Sequence, residues 1–440
     1  MSASSPLSLA SPASSCPFDV LGIIFLYLRD SESRYGRYLE KIARVCRSWR
    51  IAALSNRRLW SRILIYLQGY RFLSDYWMCK KHLQRYLQRS VAAPLSVEIT
   101  LIADDWPPPN KVCVARVQSL ITLISQDLPR WESLSIDFEE EEGVDRWTRR
   151  EWEHEPITPL EPFLRSPMPS LRRLSLCGVR ECFEGFLPQV PLLNAFETKG
   201  GRVSELNIPW SYLTAFRYSS NRYSSDSRQL DQLSKCVRLK NLYIEGIKLD
   251  ADKLGTAFDC MLRNVVSFQL HSLPSTEPIN ISLANFRLPS LKNLTLFVPH
   301  AFWDRSGYGS RPPYMWMAEM STAEHIVGFA GTCKVLTLLW SKPVPHPRWA
   351  LVTAHYSRSV IFDMFNAMPD LEELRLSEDI PEVFLAVIKE HDTLVPKLSR
   401  VFILQTGGVK VPLQLDGLAN RWQKGENQKT KEAQSRYVLF

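Results

Sequence analysis

The sequence predicts an α/β solenoid preceded by a small three-helix module. A Leu-x-x-Leu-x-Leu-like segment returns eleven times after residue 130, and the steps between its middle copies are nearly constant. The first 65 residues show a different order, with apolar side chains at helical spacing.

The N-terminal module comes first. From Pro17 to Leu28 the chain reads Pro-Phe-Asp-Val-Leu-Gly-Ile-Ile-Phe-Leu-Tyr-Leu. Pro17 suits a first helical turn, where its missing N–H costs nothing, and Asp19 lies near the positive end of the helix dipole. Val20, Leu21, Ile24, Phe25 and Leu28 form a broad apolar face. A polar stretch over roughly 29–38 breaks the pattern. Leu39, Ile42, Ala43, Val45 and Cys46 then predict a second helix, Val-Cys-Arg-Ser-Trp-Arg (45–50) opens a third through Ala53, and Leu-Trp-Ser follows at 59–61. Three short helices in about fifty residues enclose too little interior to bury all these side chains. Leftover apolar surface of this kind marks a binding face. The other reading of the same residues is a plain helical core without a partner.

Taken together, Pro-x-Asp-Val-Leu-x-x-Ile-Phe-x-x-Leu, Val-Cys-Arg-x-Trp-Arg and Leu-Trp-Ser resemble the F-box over residues 16–65, most closely the F-box proteins of mushroom-forming fungi. Two positions depart from the family: Cys16 stands where Leu is usual, and the polar segment after the first helix is longer. The resemblance implies a Skp-type adaptor as partner, and through it a cullin-RING ubiquitin ligase. It places Pro17, Val20, Leu21, Ile24, Phe25 and Leu28 on the adaptor face. Val45, Trp49, Leu59 and Trp60 would close the small core or reach the adaptor.

Charge sharpens this expectation. Residues 1–90 hold 15 Lys/Arg against 5 Asp/Glu, a net +10; the whole chain carries +8, so the other 350 residues sum to −2. A main body that bound nucleic acid would hold the excess itself, so no nucleic-acid partner is expected. The basic module fits an acidic partner, and the resemblance implies an acidic adaptor. Solvated faces of amphipathic helices are the alternative.

Residues 66–92 predict a linker helix, with Tyr76, Leu83, Tyr86 and Leu87 on one side and Pro94 ending it. The span 93–415 holds the returning segments: Trp131–Ile136, Leu171–Leu176, Leu193–Thr198, Val203–Ile208, Leu213–Tyr218, Leu239–Ile244, Val265–Leu270, Leu291–Leu296, Cys333–Leu338, Leu371–Leu376 and Leu398–Ile403. From Leu193 through Leu213, Leu239 and Val265 to Leu291 the steps are 20, 26, 26 and 26 residues. That is the period of leucine-rich repeats. The last two leucines of each copy point to one side of a strand, and no copy buries its apolar face alone, so copies must stack. Many lack the Asn or Cys that closes sharper repeats, which predicts an irregular leucine-rich-repeat horseshoe. A globular α/β domain with similar strands remains open.

Two long steps predict inserts. Trp131 to Leu171 is 40 residues, holding the acidic run 139–142; Leu291 to Cys333 is 42. The second insert carries Phe302, Trp303, Tyr308, Arg311, Tyr314 and Trp316. Aromatic and Arg-rich loops have the composition of binding hot spots, so these six are candidate target-binding residues; plugging the solenoid is the other use of such loops. Residues 1–15 and 416–440 are expected as tails.

No phosphate-binding P-loop, dinucleotide fingerprint, zinc-protease motif or nucleophile elbow occurs. No catalytic residue, cofactor or metal is therefore expected. No apolar stretch reaches the ~18–20 residues of a membrane span. Nine scattered cysteines without a C-x-x-C pair suit a reducing compartment, the cytoplasm or nucleus. The function these readings imply is substrate recognition in an SCF-type ubiquitin ligase, with an unidentified target on the repeats. A non-degradative adaptor-binding scaffold or ligand sensor is the alternative.

Overall fold

The computed structural model describes residues 16–31, 38–68, 71–102, 111–139, 160, 164–178, 189–199, 207–219, 232–245, 260–271, 286–298, 331–340, 358–377, 382–391, 394–404 and 410–412. The expected tails 1–15 and 416–440, the aromatic insert 302–316, the acidic residues 140–142 and most of the copy Val203–Ile208 lie outside these residues. The chain divides into two compact units, Met1–Pro209 and Trp210–Phe440.

The first unit opens with α1 (Phe18–Ser31), α2 (Tyr38–Ile42), α3 (Arg47–Ser55) and a 3-10 turn, Arg57–Trp60. It continues through β1 (Arg62–Gln68), α4 (Arg71–Ser90), β2 (Leu95–Ile102), α5 (Lys111–Ser125), β3 (Trp131–Glu139), β4 (Arg173–Cys177) and β5 (Ala195–Lys199). β1 to β5 pair in chain order, all parallel.

The linker helix expected over 66–92 is corrected at its start. Residues 66–68 belong to β1, and the helix begins at Arg71. Ile63 and Ile65 are buried with Val97 and Ile99 of β2, so their alternation serves a sheet. The Arg62 guanidinium donates to both oxygens of the Glu98 carboxylate at 2.8 and 3.0 Å, tying β1 to its neighbour. At the far end of α4, Val91 takes a left-handed backbone (φ 47°), an uncommon state for a β-branched residue. Arg130 holds this corner by donating to Ala93 O at 2.9 Å and Ser90 Oγ at 2.9 Å.

The second unit contains β6 (Ala215–Ser219), β7 (Asn241–Glu245), β8 (Cys260–Met261), β9 (Ser267–His271), β10 (Phe286–Arg287), β11 (Asn293–Val298), β12 (Val335–Trp340), β13 (Glu373–Ser377), β14 (Arg400–Leu404) and β15 (Lys410–Pro412). Two helices, Arg358–Asn366 and Glu382–Glu390, precede and follow β13. β6, β7, β9, β11, β12, β13 and β14 pair parallel in that order, and β15 closes the row antiparallel. β8 and β10 form a separate two-residue parallel pair. A doubly wound sheet reverses its strand order at a switch point. Neither unit does, and parallel strands in chain order are compatible with a solenoid.

Ten of the eleven sequence copies lead into these strands. In nine of the ten, alternate side chains enter the core, as Leu174 and Leu176, Phe216 and Tyr218, Leu242 and Ile244, Leu294 and Leu296, Leu374 and Leu376 do; in β14 Val401 is buried and Ile403 half-buried. The residue opening each of these copies is buried, ahead of the strand at Leu171, Leu239, Leu291 and Leu371 and as its first residue at Trp131. A fourth anchor lies three positions earlier, and reading only the six-residue copy overlooks it. Met168, Val190, Cys236, Leu262, Leu288, Met368 and Val395 are buried, and each carbonyl accepts the N–H of the opening residue at 3.0–3.3 Å. The signal is legible as apolar-Pro-x-Leu at 168–171, 190–193, 288–291, 368–371 and 395–398. Proline presets the second residue of a tight turn. Each anchor contributes about 1.5–3 kcal/mol when buried, and only stacking of neighbours completes that burial.

Candidate functional site

The N-terminal module closes a small core and leaves much of α1 uncovered. Leu21 and Phe25 of α1, Leu39 and Ile42 of α2, Ala52 and Ala53 of α3, and Leu59 and Trp60 of the 3-10 turn make that core. Cys16, Leu26, Ala43, Trp49 and Tyr86 pack on it half-buried. Gly22 lets α1 approach closely, because a Cβ there would lie 3.1 Å from Asn56 Nδ2. Asn56 in turn starts the 3-10 turn, its Oδ1 accepting the Arg58 N–H at 3.2 Å. Phe25 meets the Trp49 ring edge-on at 5.1 Å.

Trp60 joins this core to α4. Its indole N–H donates to Ala53 O at 2.8 Å, Tyr86 meets its ring edge-on at 5.1 Å, and the Arg89 guanidinium lies 4.2 Å from its centroid. Burial pushes the Tyr86 hydroxyl up to about 12 and lowers the Arg89 guanidinium from its usual value. Arg85 adds a 2.7 Å ion pair to Glu40 of α2. The helix expected as a linker is thus packed against the module.

The outward side of α1 is apolar. Phe18, Val20, Ile23, Ile24, Tyr27 and Leu28 are exposed, Ile23 to 69% and Tyr27 to 76%. Val45 in the turn after α2, and Ile51 and Leu54 one helical turn apart on α3, are exposed as well. Isolated exposed apolar residues are ordinary, whereas six on one fourteen-residue helix are not. Around them the cations Lys41, Arg44, Arg47, Arg50, Arg57 and Arg58 are also exposed. The positive surplus of the sequence therefore reaches the surface of this module.

The residues assigned to an adaptor face divide in two. Pro17, Val20, Ile24, Leu28 and Val45 are exposed. Leu21, Phe25, Leu59 and Trp60 are fully buried and cannot meet a partner without unfolding; Trp49 is half-buried on Phe25. Phe18, Ile23, Tyr27, Ile51 and Leu54 join the exposed group without having been singled out. For Phe18, Ile23 and Tyr27 the signal is a helix apolar on nearly all sides, since a module of this size covers one side only. The six candidates at 302–316 lie outside the described residues.

Cys46 is a half-exposed thiol of this module. It precedes α3, where its Sγ accepts the Trp49 N–H at 3.5 Å and lies 3.1 Å from Ser48 Oγ. The Ser48 hydrogen bond lowers its pKa, whereas burial pushes Cys333 up to about 12. Because the thiolate is the reactive form, alkylation of the intact chain at neutral pH is expected to label Cys46 well before Cys333. Ser48→Ala should slow the first reaction; equal rates at both thiols would contradict the assignment.

Among the described residues no His, Cys, Asp and Glu side chains group in a way that could hold a metal ion. No described helix is long and apolar enough to cross a membrane. The geometry defines a class: a small helical module with an exposed apolar face, leading directly into a row of parallel strands.

Residues 14–66 match the family model for F-box-like domains. Among solved structures the chain is similar to the complex of Rad7 and Elc1 from yeast, at 11% identity and TM-score 0.34, with 89% of this chain and 90% of that chain covered. It is also similar to a structural-genomics target from Bacteroides fragilis, at 14% identity and TM-score 0.28, covering 69% and 67%. No curated protein matches the chain.

Proposed function

We propose that this chain is the substrate-recognition subunit of a cullin-RING ubiquitin ligase of the SCF type. The F-box-like module holds a Skp-type adaptor, and the repeats, an irregular leucine-rich solenoid, hold a target protein in the cytoplasm or nucleus. The chain itself performs no bond-making step. It raises the effective concentration of a target lysine near a loaded conjugating enzyme carried by other subunits.

One observation carries this reading: the module completes its own core and still exposes six large apolar side chains on α1. A contiguous exposed apolar face of this kind marks an interaction site, and the F-box-like match at 14–66 supports a Skp-type adaptor as its partner. The surrounding cations suit an acidic adaptor.

Reconstitution tests it. Co-expressed with a Skp-type adaptor, the full chain should co-purify with it and support ubiquitin transfer in a complete ligase. A chain that stays folded and does not bind any Skp-type adaptor would exclude the reading.

A further inference from the structure

Along one edge of the second unit the described residues are predominantly basic. Between residues 207 and 340 the described residues include eight Lys/Arg and one acid, Glu245. Six of these cations, Lys235, Arg238, Lys240, Arg263, Lys292 and Lys334, sit at the turns or just ahead of the strands, and all are exposed.

The backbone fixes their pitch. The N–H groups of Lys240 and Asn241 donate to Thr214 O at 2.9 and 3.0 Å; those of Val266 and Ser267 donate to Lys240 O at 2.8 and 3.0 Å. The same pair of bonds runs from Lys292 and Asn293 to Val266 O, and from Lys334 and Val335 to Lys292 O. Lys240, Lys292 and Lys334 therefore hold one structural position on successive rungs, with Val266 between the first two. Neighbouring strands lie ~4.8 Å apart, which spaces the backbones of these lysines by roughly 10 and 5 Å. Side chains lock the turns together: Asn264 Nδ2 donates to Val237 O at 2.7 Å, and Thr332 Oγ1 to Leu291 O at 2.9 Å.

Both ends of the row are marked. At one end Arg238 lies 5.3 Å from the centroid of the exposed Tyr212 ring, beside exposed Val237. At the other, Lys334 pairs with Glu372 at 2.6 Å and Lys397 with Asp370 at 2.5 Å, so the next repeats are neutralised internally. Among the described residues Lys240 and Lys292 have no ion-pair partner. Like charges held at this spacing on a stiff edge favour a bound counter-charge.

We propose that this edge docks an extended, Asp/Glu-rich segment of the target protein; naming the occupant a target rests on the receptor reading above. From β6 to β12 the edge spans four strand steps, about 19 Å, the length of roughly six extended residues. Lysine ammonium groups act as point charges and suit single carboxylates without demanding a planar fork. Nucleic acid is the less suited ligand: Tyr212 is the exposed aromatic among the described residues of this edge, and a cation already faces its ring, so no series of stacking platforms is present.

The test uses the full chain and three fluorescent probes: a peptide with a run of about six Glu, its Gln counterpart, and a single-stranded oligonucleotide. Anisotropy at low salt is expected to show binding of the Glu peptide, little of the Gln peptide, and weakening by added salt. Lys240→Glu with Lys292→Glu should reduce that binding roughly tenfold or more, and Lys240→Ala with Lys292→Ala gives the same readout should charge reversal disturb folding. Unchanged affinity in the folded variants, equal binding of the Gln peptide, or tighter binding of the oligonucleotide overturns the proposal. Adaptor co-purification is measured on the same preparations. Its loss alone removes the ligase reading and leaves the acidic-peptide edge standing; its retention without peptide binding removes only the edge.

Discussion

Val20→Asp combined with Ile24→Asp is expected to abolish co-purification with a Skp-type adaptor while leaving the fold of the chain intact. Both side chains lie on the outward side of α1, one helical turn apart, and are about two-fifths exposed. A partner covers only the exposed two-fifths of each side chain, worth about 0.6–1.2 kcal/mol apiece, so losing both removes about 1–2.5 kcal/mol. Placing two carboxylates against an apolar partner adds a desolvation cost. A loss of 3 kcal/mol is roughly a hundredfold in affinity, so the expected readout is disappearance of the complex. Exposed substitutions change folding stability by about 0.5 kcal/mol, so urea unfolding of the variant should overlay the parent curve. An adaptor retained by the folded variant would sink the assignment of this face.

The choice of residues matters. Leu21 and Phe25 share the same sequence pattern, but both are completely buried against α2, α3 and the 3-10 turn. Aspartate at either would unfold the module, and lost binding would then say nothing about the face. Helical periodicity alone marks both sets as apolar and cannot say which side a fifty-residue module has room to bury.

The repeats show the same division between what is local and what is not. Leu-x-x-Leu-x-Leu is legible because three buried positions recur inside six residues, and ten strands follow from it. The buried position three residues earlier was legible too, as apolar-Pro-x-Leu, but only once the turn bond from 168 to 171 gives it a reason. β1 and β2 lack the motif and show only alternation, Ile63 and Ile65, then Leu95, Val97 and Ile99. Placed directly after Leu-Trp-Ser, β1 reads as the tail of a helix, and its strand state depends on pairing with residues 34 positions away. The cation row of the second unit escapes any composition summary. Its members come from separate repeats, and only the stacking bonds bring them to one edge.

Trp60→Ala carries the largest expected effect on stability. The indole is fully buried where the F-box-like core meets α4. Ala53 lies in the last turn of α3, so its carbonyl has no helical partner, and the Trp60 N–H supplies one at 2.8 Å. Truncation leaves a cavity and orphans that carbonyl, costing about 3–5 kcal/mol for the packing and about 1–3 for the unmet acceptor. A small module holds only a few kcal/mol of its own, so its helices should lose protection from amide exchange together with the adjoining face of α4. Trp60→Phe separates the two contributions: it keeps most of the ring contact with Tyr86, loses the hydrogen bond, and should fall between the parent and Trp60→Ala. Exchange protection in α1 and α3 that survives Trp60→Ala would contradict the joint. The consequence for function is geometric. β1 continues from the 3-10 turn straight into the sheet, and Trp60 fixes α4 to the same turn, so an adaptor bound on α1 is held in one orientation to the first repeats. Under the receptor function proposed above, losing that orientation slows transfer even where each binding step survives. Trp60→Phe, folded and still adaptor-bound, is therefore expected to slow ubiquitin transfer more than it weakens adaptor binding.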